Sequence, residues 1–157
     1  MEKILEIVKI KQVLKESEYQ LQFNKINSPY DCEKIFSEVA TNIIGDDDRE
    51  IFLVMCLNTK HEINAIHRCS IGALSSAIVS PREVFKACIL NNSSAFIVAH
   101  NHPSLSLEIS NEDIAVTKRL QEAGELLGIE LLDHLIVNMN GDFISLRDRG
   151  HMKIRRK

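Results

Sequence analysis

Residues 100–113, HNHPSLSLEISNED, bring together two histidines, a serine and an aspartate directly after the apolar run SAFIVA. Residues two apart in a β-strand point to the same face, so His100 and His102 project together from one strand end. Zinc requires ligand nitrogens about 2.0 to 2.1 Å away. Asp113 begins the next predicted helix, where its carboxylate can turn back toward the histidines. Two histidines and one carboxylate leave a fourth zinc position open, as in catalytic zinc sites.

A purely structural explanation covers part of this segment. Ser110 as N-cap with Asp113 three residues later approximates a capping box, which explains SNED without a metal ion. It does not explain two histidines at the mouth of a buried strand, where an uncompensated polar side chain costs roughly 1 to 3 kcal/mol. At this point the segment is either a metal site or a strand followed by a well-capped helix.

Apolar periodicity predicts the elements that would position these side chains. Ser28 as N-cap, Pro29 at the first position and Asp31 near the positive end of the dipole open a helix. Its apolar positions recur at helical spacing: Cys32, Ile35, Phe36, Val39 and Ile43. Before it, ILEIVKIKQVL fits a helix or an edge strand, and YQLQF alternates as a strand does.

The rest of the chain alternates between strand and helix patterns. IFLVMCLN and EINAIHRCSIG predict two strands, SPREVFKACILN a helix and SAFIVA a central buried strand. The segment after Ser110 predicts a helix with its C-cap at Gly128 and this stripe: Ile114, Thr117, Leu120, Gly124 and Leu127. IELLDHLIV and FISL predict two last strands around an Asn140-Gly141 turn. This order predicts one three-layer α/β domain with a mixed sheet.

Composition narrows the class of protein. The chain has 157 residues, the size of one domain, and 45% of them are hydrophobic. A net charge of −3 does not suggest a nucleic-acid-binding surface. Because no apolar run reaches the roughly 18 residues of a membrane helix and the N-terminus lacks a signal-peptide layout, we expect a cytoplasmic protein without membrane contact. The four cysteines, without a CxxC pair among them, are expected to be buried reduced thiols rather than zinc ligands or disulfides: Cys32, Cys56, Cys69 and Cys88.

The pattern His-x-His, seven residues, Ser, two residues, Asp resembles the signature of the JAMM (MPN-plus) metalloproteases. Flanking segments, among them VSPREVFKACILNNSSAFIVAHNHPS and GDFISLRDRG, resemble the RadC family. The resemblance implies an α/β fold: a three-layer mixed-sheet JAB/MPN (cytidine-deaminase-like) domain over residues 28–150. Residues 1–27 would be an N-terminal extension of the same domain, and residues 151–157 a basic tail that we expect to be frayed.

The resemblance also implies roles for single residues. His100, His102 and Asp113 would bind Zn2+, and Ser110 would donate a hydrogen bond to the oxyanion of the tetrahedral intermediate. A glutamate on an earlier strand would hold the metal-activated water as general acid and base. Glu50, which opens the strand IFLVMCL, is the candidate by position, and Glu83 is the alternative.

Other polar residues near the motif receive structural interpretations. Asn101 points to the face opposite the two histidines and is expected to be structural. His134, in LLDHLIV, is expected to be a core histidine or one that supports a ligand, because the zinc already has three protein ligands. The remaining histidines, in a turn, an outer strand and the tail, carry no functional signal: His61, His67 and His151.

The resemblance favours a zinc metallopeptidase that hydrolyses a peptide or isopeptide bond in a protein or peptide substrate. The alternatives are a DNA-repair-associated or mobile-element accessory protein without protease activity, and a catalytically idle interaction module. Direct DNA contact is weakly supported, because the sequence lacks the N-terminal helical region of longer relatives and its basic tail is expected to be solvated. Family members usually read HNHPSG, whereas this chain reads HNHPSL, which predicts a differently shaped loop over the metal.

Overall fold

The structure is a computed structural model that describes residues 20–44, 50–71, 79–102 and 104–154. The helices in these ranges are α1 (Pro29–Val39), α2 (Pro81–Leu90) and α3 (Asn111–Leu127), and a π-helical segment, Ala40–Ile44, extends α1. The strands are β1 (Ile51–Leu57), β2 (Ile63–Ile71), β3 (Ala95–Asn101), β4 (Glu130–Val137) and β5 (Phe143–Ser145). The order along the chain is the one predicted from the sequence.

The five strands form one mixed sheet in the order β2-β1-β3-β4-β5. β1 is antiparallel to both of its neighbours, β3 and β4 are parallel, and β5 is antiparallel to β4. Every residue of β1 and β3 is buried, and for β3 this confirms the buried strand predicted from SAFIVA. Helix α1 packs on one face of the sheet, while α2 and α3 pack on the other. The predicted three-layer, mixed-sheet α/β architecture is therefore confirmed.

Alternation along the central strands divides the core into two clusters. Leu53 and Met55 of β1 face α1, whereas Phe52 and Val54 face α2 and α3. The same alternation in β3 places His100 on the α2–α3 face, where its ring stacks on Phe52. The face covered by α2 and α3 is therefore the one on which polar side chains can gather at the end of β3.

A β-bulge changes the direction of the side chains in β4. Phe96 pairs with Leu131, but the next residue of β3, Ile97, pairs with Asp133, so Leu132 is an extra residue in the ladder. Without it, alternation from Leu131 would place Asp133 on the α2–α3 face. With it, His134 points to that face instead, beside His100.

Both ends of α3 agree with their sequence signals. Its N-cap is Ser110, and its C-cap is Gly128 in the left-handed conformation with φ 72°. The predicted apolar stripe is correct for Thr117, Leu120 and Gly124 but wrong at Leu127, which is 49% exposed. Val116, four residues before Leu120 on the same side of the helix, is buried and was not in the predicted stripe.

The segments at the two ends of the domain depart from expectation. YQLQF does not form a strand over its described residues 20–23, and near it the chain joins the sheet only through an isolated bridge between Lys25 and Glu62. ILEIVKIKQVL lies outside the described residues. The expectation of a frayed tail is wrong for residues 151–154, since Met152 is buried against the α2–α3 cluster.

Two further expectations concern the chain as a whole. The four cysteines are free, and the predicted burial is confirmed for Cys32, Cys56 and Cys88 but wrong for Cys69, which is half-buried. Among the residues that the structure describes, no helix has both the length and the apolarity to cross a membrane.

Candidate metal site

Three donor atoms converge at the end of β3. Nε2 of His100 lies 3.0 Å from Nε2 of His102 and 3.0 Å from Oδ1 of Asp113. Nε2 of His102 lies 3.3 Å from Oδ2 of Asp113. In the described part of the chain, these residues form the cluster of histidine and acidic side chains able to hold one metal ion. The structure thus brings together the three residues that the sequence analysis named as candidate metal ligands.

The spacing of these donors fits a small, tightly bound cation. Two ligands bonded to a tetrahedral zinc ion at about 2.0 to 2.1 Å lie about 3.3 Å apart. The nitrogen–nitrogen separation of 3.0 Å is close to that value, as are the separations of 3.0 and 3.3 Å from the two nitrogens to Oδ1 and Oδ2 of Asp113, respectively. Two imidazole nitrogens and one carboxylate oxygen can therefore hold a metal ion here, although the spacing does not specify which one.

The loop after β3 orients the second histidine. Nδ1 of His102 lies 3.1 Å from the backbone oxygen of Ser106. A carbonyl oxygen only accepts hydrogen bonds, so Nδ1 is the donor, and in the neutral ring Nε2 keeps its lone pair for the metal. His102 is half-buried, so one side of the cluster remains open to solvent.

The capping box of α3 orients the carboxylate. Oγ of Ser110 accepts a hydrogen bond from the backbone N–H of Asp113 at 3.1 Å, and Oδ2 of Asp113 accepts one from the backbone N–H of Ser110 at 2.9 Å. The two explanations of SNED are therefore compatible, because the same carboxylate caps the helix and faces both histidines. The hydroxyl proton of Ser110 is not used in the cap and can be donated elsewhere.

Charge is distributed unevenly over the cluster. Burial raises the pKa of Asp113, but in the metal-free protein the hydrogen bonds that His100 and His102 donate when their Nε2 atoms are protonated outweigh it, so its pKa lies well below the ordinary value. The hydrogen bond with Asp113 raises the pKa of His102 against the opposing effect of burial. Burial, and then the charge of His100, hold the pKa of His134 well below its usual range. Asp113 is thus an anion and His134 a neutral ring.

The cluster forms the floor of a cavity of about 530 Å³. Glu50 lines this cavity, is half-buried and directly precedes β1. Two residues apart in an extended segment, Glu50 and Phe52 share a face, and the Phe52 ring stacks on His100 with a centroid distance of 5.9 Å. The structure therefore brings Glu50 and Ser110 to the same cavity as the three candidate ligands.

Glu83 is not brought to the cavity. It lies on the exposed side of α2, where its carboxylate pairs with Nζ of Lys86 at 3.0 Å. Its position favours Glu50 as the acidic group next to the cluster. His61, His67 and His151 also lie outside the residues that line the cavity.

Of two neighbouring polar residues, Asn101 is placed as its strand position predicted, whereas the placement of His134 depends on the bulge in β4. Asn101 turns to the face opposite His100, and its Oδ1 accepts a buried hydrogen bond from the backbone N–H of Ile51 at 2.6 Å. That bond fixes the start of β1 next to Glu50. His134 is 1% exposed, and its Nε2 lies 2.8 Å from Nδ1 of His100. His134 therefore supports a candidate ligand. The sequence had left two roles open for it, this one and that of an ordinary core residue.

The described chain, with helices on both faces of a mixed five-stranded sheet and a His–His–Asp cluster at the end of the middle strand, has the features of a JAB-type domain. A family model described as RadC-like JAB domain matches residues 26–151. The chain therefore belongs to the RadC-like JAB domain family, as its motifs indicated.

Bacterial relatives agree with this assignment. The chain is 47% identical over 128 residues to a UPF0758 protein of Alkaliphilus metalliredigens, covering 82% of this chain and 53% of the relative. It is 52% identical over 103 residues to a UPF0758 protein of Moorella thermoacetica, covering 66% of this chain and 44% of the relative. The chain thus spans about half the length of these curated relatives, whose names state no reaction.

The altered loop after His102 contains a backbone conformation that favours glycine. Leu105 has φ 61° and stands where the family motif HNHPSG has its glycine. The left-handed conformation costs an ordinary residue about 1 to 2 kcal/mol. Leu105 therefore adopts a left-handed turn conformation in this loop, and its backbone N–H donates to the backbone oxygen of His102 at 3.1 Å.

Replacing this leucine tests whether the turn is strained. We expect Leu105→Gly to raise the free energy of unfolding by about 0.5 to 1 kcal/mol, since the relief of strain exceeds the entropy cost of glycine. Leu107→Gly is the matched control and should lower it, because Leu107 does not have a positive φ. Urea unfolding of both variants measures the difference, and equal destabilisation by both would show that Leu105 is unstrained.

Two capping boxes occur in the described helices, and comparing them allows the contribution of Ser110 to helix capping to be measured separately from its role in the cavity. Ser28 and Asp31 cap α1 in the same way as Ser110 and Asp113 cap α3, but far from the cavity. We expect Ser28→Ala and Ser110→Ala each to lower the free energy of unfolding by about 1 kcal/mol. Chemical unfolding of the metal-free proteins gives both values. A loss near zero at Ser110 would contradict its capping role.

Proposed function

We propose that this chain is a zinc-dependent hydrolase of the JAMM type that cleaves a peptide or isopeptide bond. One observation carries the proposal: at the lining of one cavity, Nε2 of His100 and Nε2 of His102 lie 3.0 Å apart, and they lie 3.0 and 3.3 Å from Oδ1 and Oδ2 of Asp113, respectively. Membership of the RadC-like JAB domain family supports it.

The chemistry of the donor set supports zinc as the metal. Imidazole nitrogen and carboxylate oxygen are both zinc ligands, and two histidines with one carboxylate form a set used by catalytic zinc sites. The cysteines do not join the cluster, so a structural site of the four-cysteine kind does not fit. When bound, the ion would supply Lewis acidity, which makes water a competent nucleophile near neutral pH.

Glu50 is proposed as the general acid and base. Its carboxylate lines the cavity, on the face of the chain that carries Phe52 and His100. From there it can take a proton from the attacking water at one carboxylate oxygen and later transfer that proton to the nitrogen of the leaving amine. Asn101 contributes indirectly, since its bond to the Ile51 backbone fixes the residue next to Glu50.

Ser110 is proposed to stabilise the oxyanion. The cap uses the lone pairs of its oxygen as acceptor and leaves its O–H free to donate. A hydroxyl held at a helix N-terminus is a fixed donor, and such preorganised donors are effective where negative charge develops in the transition state. The hydroxyl lines the same cavity as Glu50, so a carbonyl group in the cavity can lie within reach of both.

The charge around the cavity favours a protein or peptide substrate over nucleic acid. Its described lining includes the acidic side chains of Glu50, Glu108, Glu112 and Asp113, and no lysine or arginine. Phosphate groups are bound by cationic side chains, which this lining does not offer. No feature of the described residues therefore favours the accessory role in DNA repair as a second proposal.

The metal ligands can be tested by elemental analysis. We expect the untagged protein to contain about one zinc ion per chain, and His102→Ala to lose it because two ligands hold zinc far less tightly than three. His151→Ala is the matched control and should keep the metal, since His151 is exposed and outside the cavity. Full zinc content in the His102 variant would overturn the ligand assignment.

The role of Glu50 can be tested by separating metal content from hydrolysis. We expect Glu50→Gln to keep its zinc but to lose cleavage by at least about 100-fold, the usual contribution of general acid–base catalysis. Glu83→Gln is the control and should cleave as the parent does. Proteome-derived peptides incubated with each protein, with new termini identified by mass spectrometry, provide the readout. Parent-like cleavage by the Glu50 variant would remove Glu50 from the mechanism.

A further inference from the structure

We propose that Thr117 and His134 act as positioning residues that fix the Nδ1–H form of His100 and so keep Nε2 of His100 free to bind the metal. The inference rests on the metal site of the proposed function. It concerns a row of buried hydrogen bonds that starts in α3, crosses to β4 and ends at the candidate ligand on β3.

The row begins at a hydroxyl group with one proton. Oγ1 of Thr117 donates to the backbone oxygen of Asp113 at 2.6 Å, one helical turn earlier. The same Oγ1 lies 2.6 Å from Nδ1 of His134. Because its proton is already used, Thr117 can only accept from His134. Nδ1 of His134 must therefore carry a hydrogen.

The next bond follows from the first. His134 is 1% exposed, Thr117 is fully buried, and the ring contacts of His134 are with Phe52 and His100 rather than with a carboxylate. A buried ring without a carboxylate partner is neutral and carries a single N–H. With that hydrogen on Nδ1, Nε2 of His134 can only accept.

His100 completes the row. Its Nδ1 lies 2.8 Å from Nε2 of His134 and must be the donor, because the other nitrogen can only accept. The neutral His100 ring then has a free lone pair on Nε2, directed at the cluster with His102 and Asp113. Two nitrogen lone pairs facing each other at 3.0 Å repel unless a cation lies between them, so the row prepares His100 for a metal ion.

The row also ties the ligands together. It leads from the backbone of Asp113 through Thr117 and His134 to His100, whose Nε2 lies 3.0 Å from the side chain of Asp113. These contacts form a closed ring that connects α3, β4 and β3. Metal-binding histidines usually donate their second ring nitrogen to a carboxylate, a carbonyl or water, and here a second histidine accepts instead.

A pair of variants at Thr117 tests the inference. Thr117→Val keeps the shape but removes the acceptor, so His134 is free to place its hydrogen on Nε2 and force His100 into the form that blocks the metal. Thr117→Ser keeps the hydroxyl. Zinc dissociation constants from competition with a chelating indicator, and the visible spectrum of the cobalt-substituted proteins, are compared with those of the parent. Thermal unfolding of the metal-free forms shows whether each variant folds.

We expect Thr117→Val to bind zinc about 10- to 100-fold more weakly than the parent and Thr117→Ser to bind within a few-fold of it. Equal affinity of the valine variant and the parent, or equal weakening by both variants, would overturn the inference. A parent chain that binds no zinc would overturn the proposed function itself. If the parent binds zinc and Thr117→Val binds it equally tightly, only the positioning role of Thr117 and His134 is overturned.

A second measurement does not depend on any variant folding. Nitrogen-15 spectra of the histidine rings in the zinc-loaded parent report which ring nitrogen carries hydrogen. We expect hydrogen on Nδ1 of both His100 and His134, with Nε2 of His134 bare. Hydrogen on Nε2 of His134 would contradict the proposed order of donors and acceptors.

Discussion

The site depends on the contacts made by the carboxylate of Asp113. One carboxylate accepts the backbone N–H of Ser110, which starts α3, and contacts Nε2 of both His100 and His102. The start of the helix and the site are thus fixed by the same group. Because β3 and β4 are parallel, the chain must cross over between them, and α3 is that crossover. Helix α3 runs back along the sheet to the start of β4, so its N-terminus lies beside the end of β3, where the histidines project.

Much of this arrangement was predictable from local patterns. Continuous apolar runs identify β1 and β3, a serine followed by a proline or an acidic residue marks each helix start, and alternation places the two histidines on one face. These signals depend on residues close in sequence. The candidate ligands could be predicted because all three lie within 14 residues of one another and flank a single loop.

The parts that sequence did not predict depend on tertiary pairing. The bulge at Leu132 turns His134 toward His100, and nothing in LLDHLIV marks the extra residue. The sequence pattern assigned Thr117 to the apolar stripe of α3, but its hydroxyl contacts His134. Residues 20–23 of the alternating segment YQLQF do not form a strand, and in the described residues near them an isolated bridge between Lys25 and Glu62 makes the connection to the end of the sheet. Met152 packs into the core after a segment that is basic in composition.

The central claim is that two imidazoles and one carboxylate hold a single zinc ion with room for a further ligand. X-ray absorption at the zinc edge of the zinc-loaded protein tests it most directly, because it reports the type and distance of the ligands. The account predicts nitrogen and oxygen neighbours alone, at about 2.0 to 2.1 Å, with the scattering pattern of two imidazole rings. A sulfur neighbour at about 2.3 Å, or fewer than two imidazole rings, would contradict it.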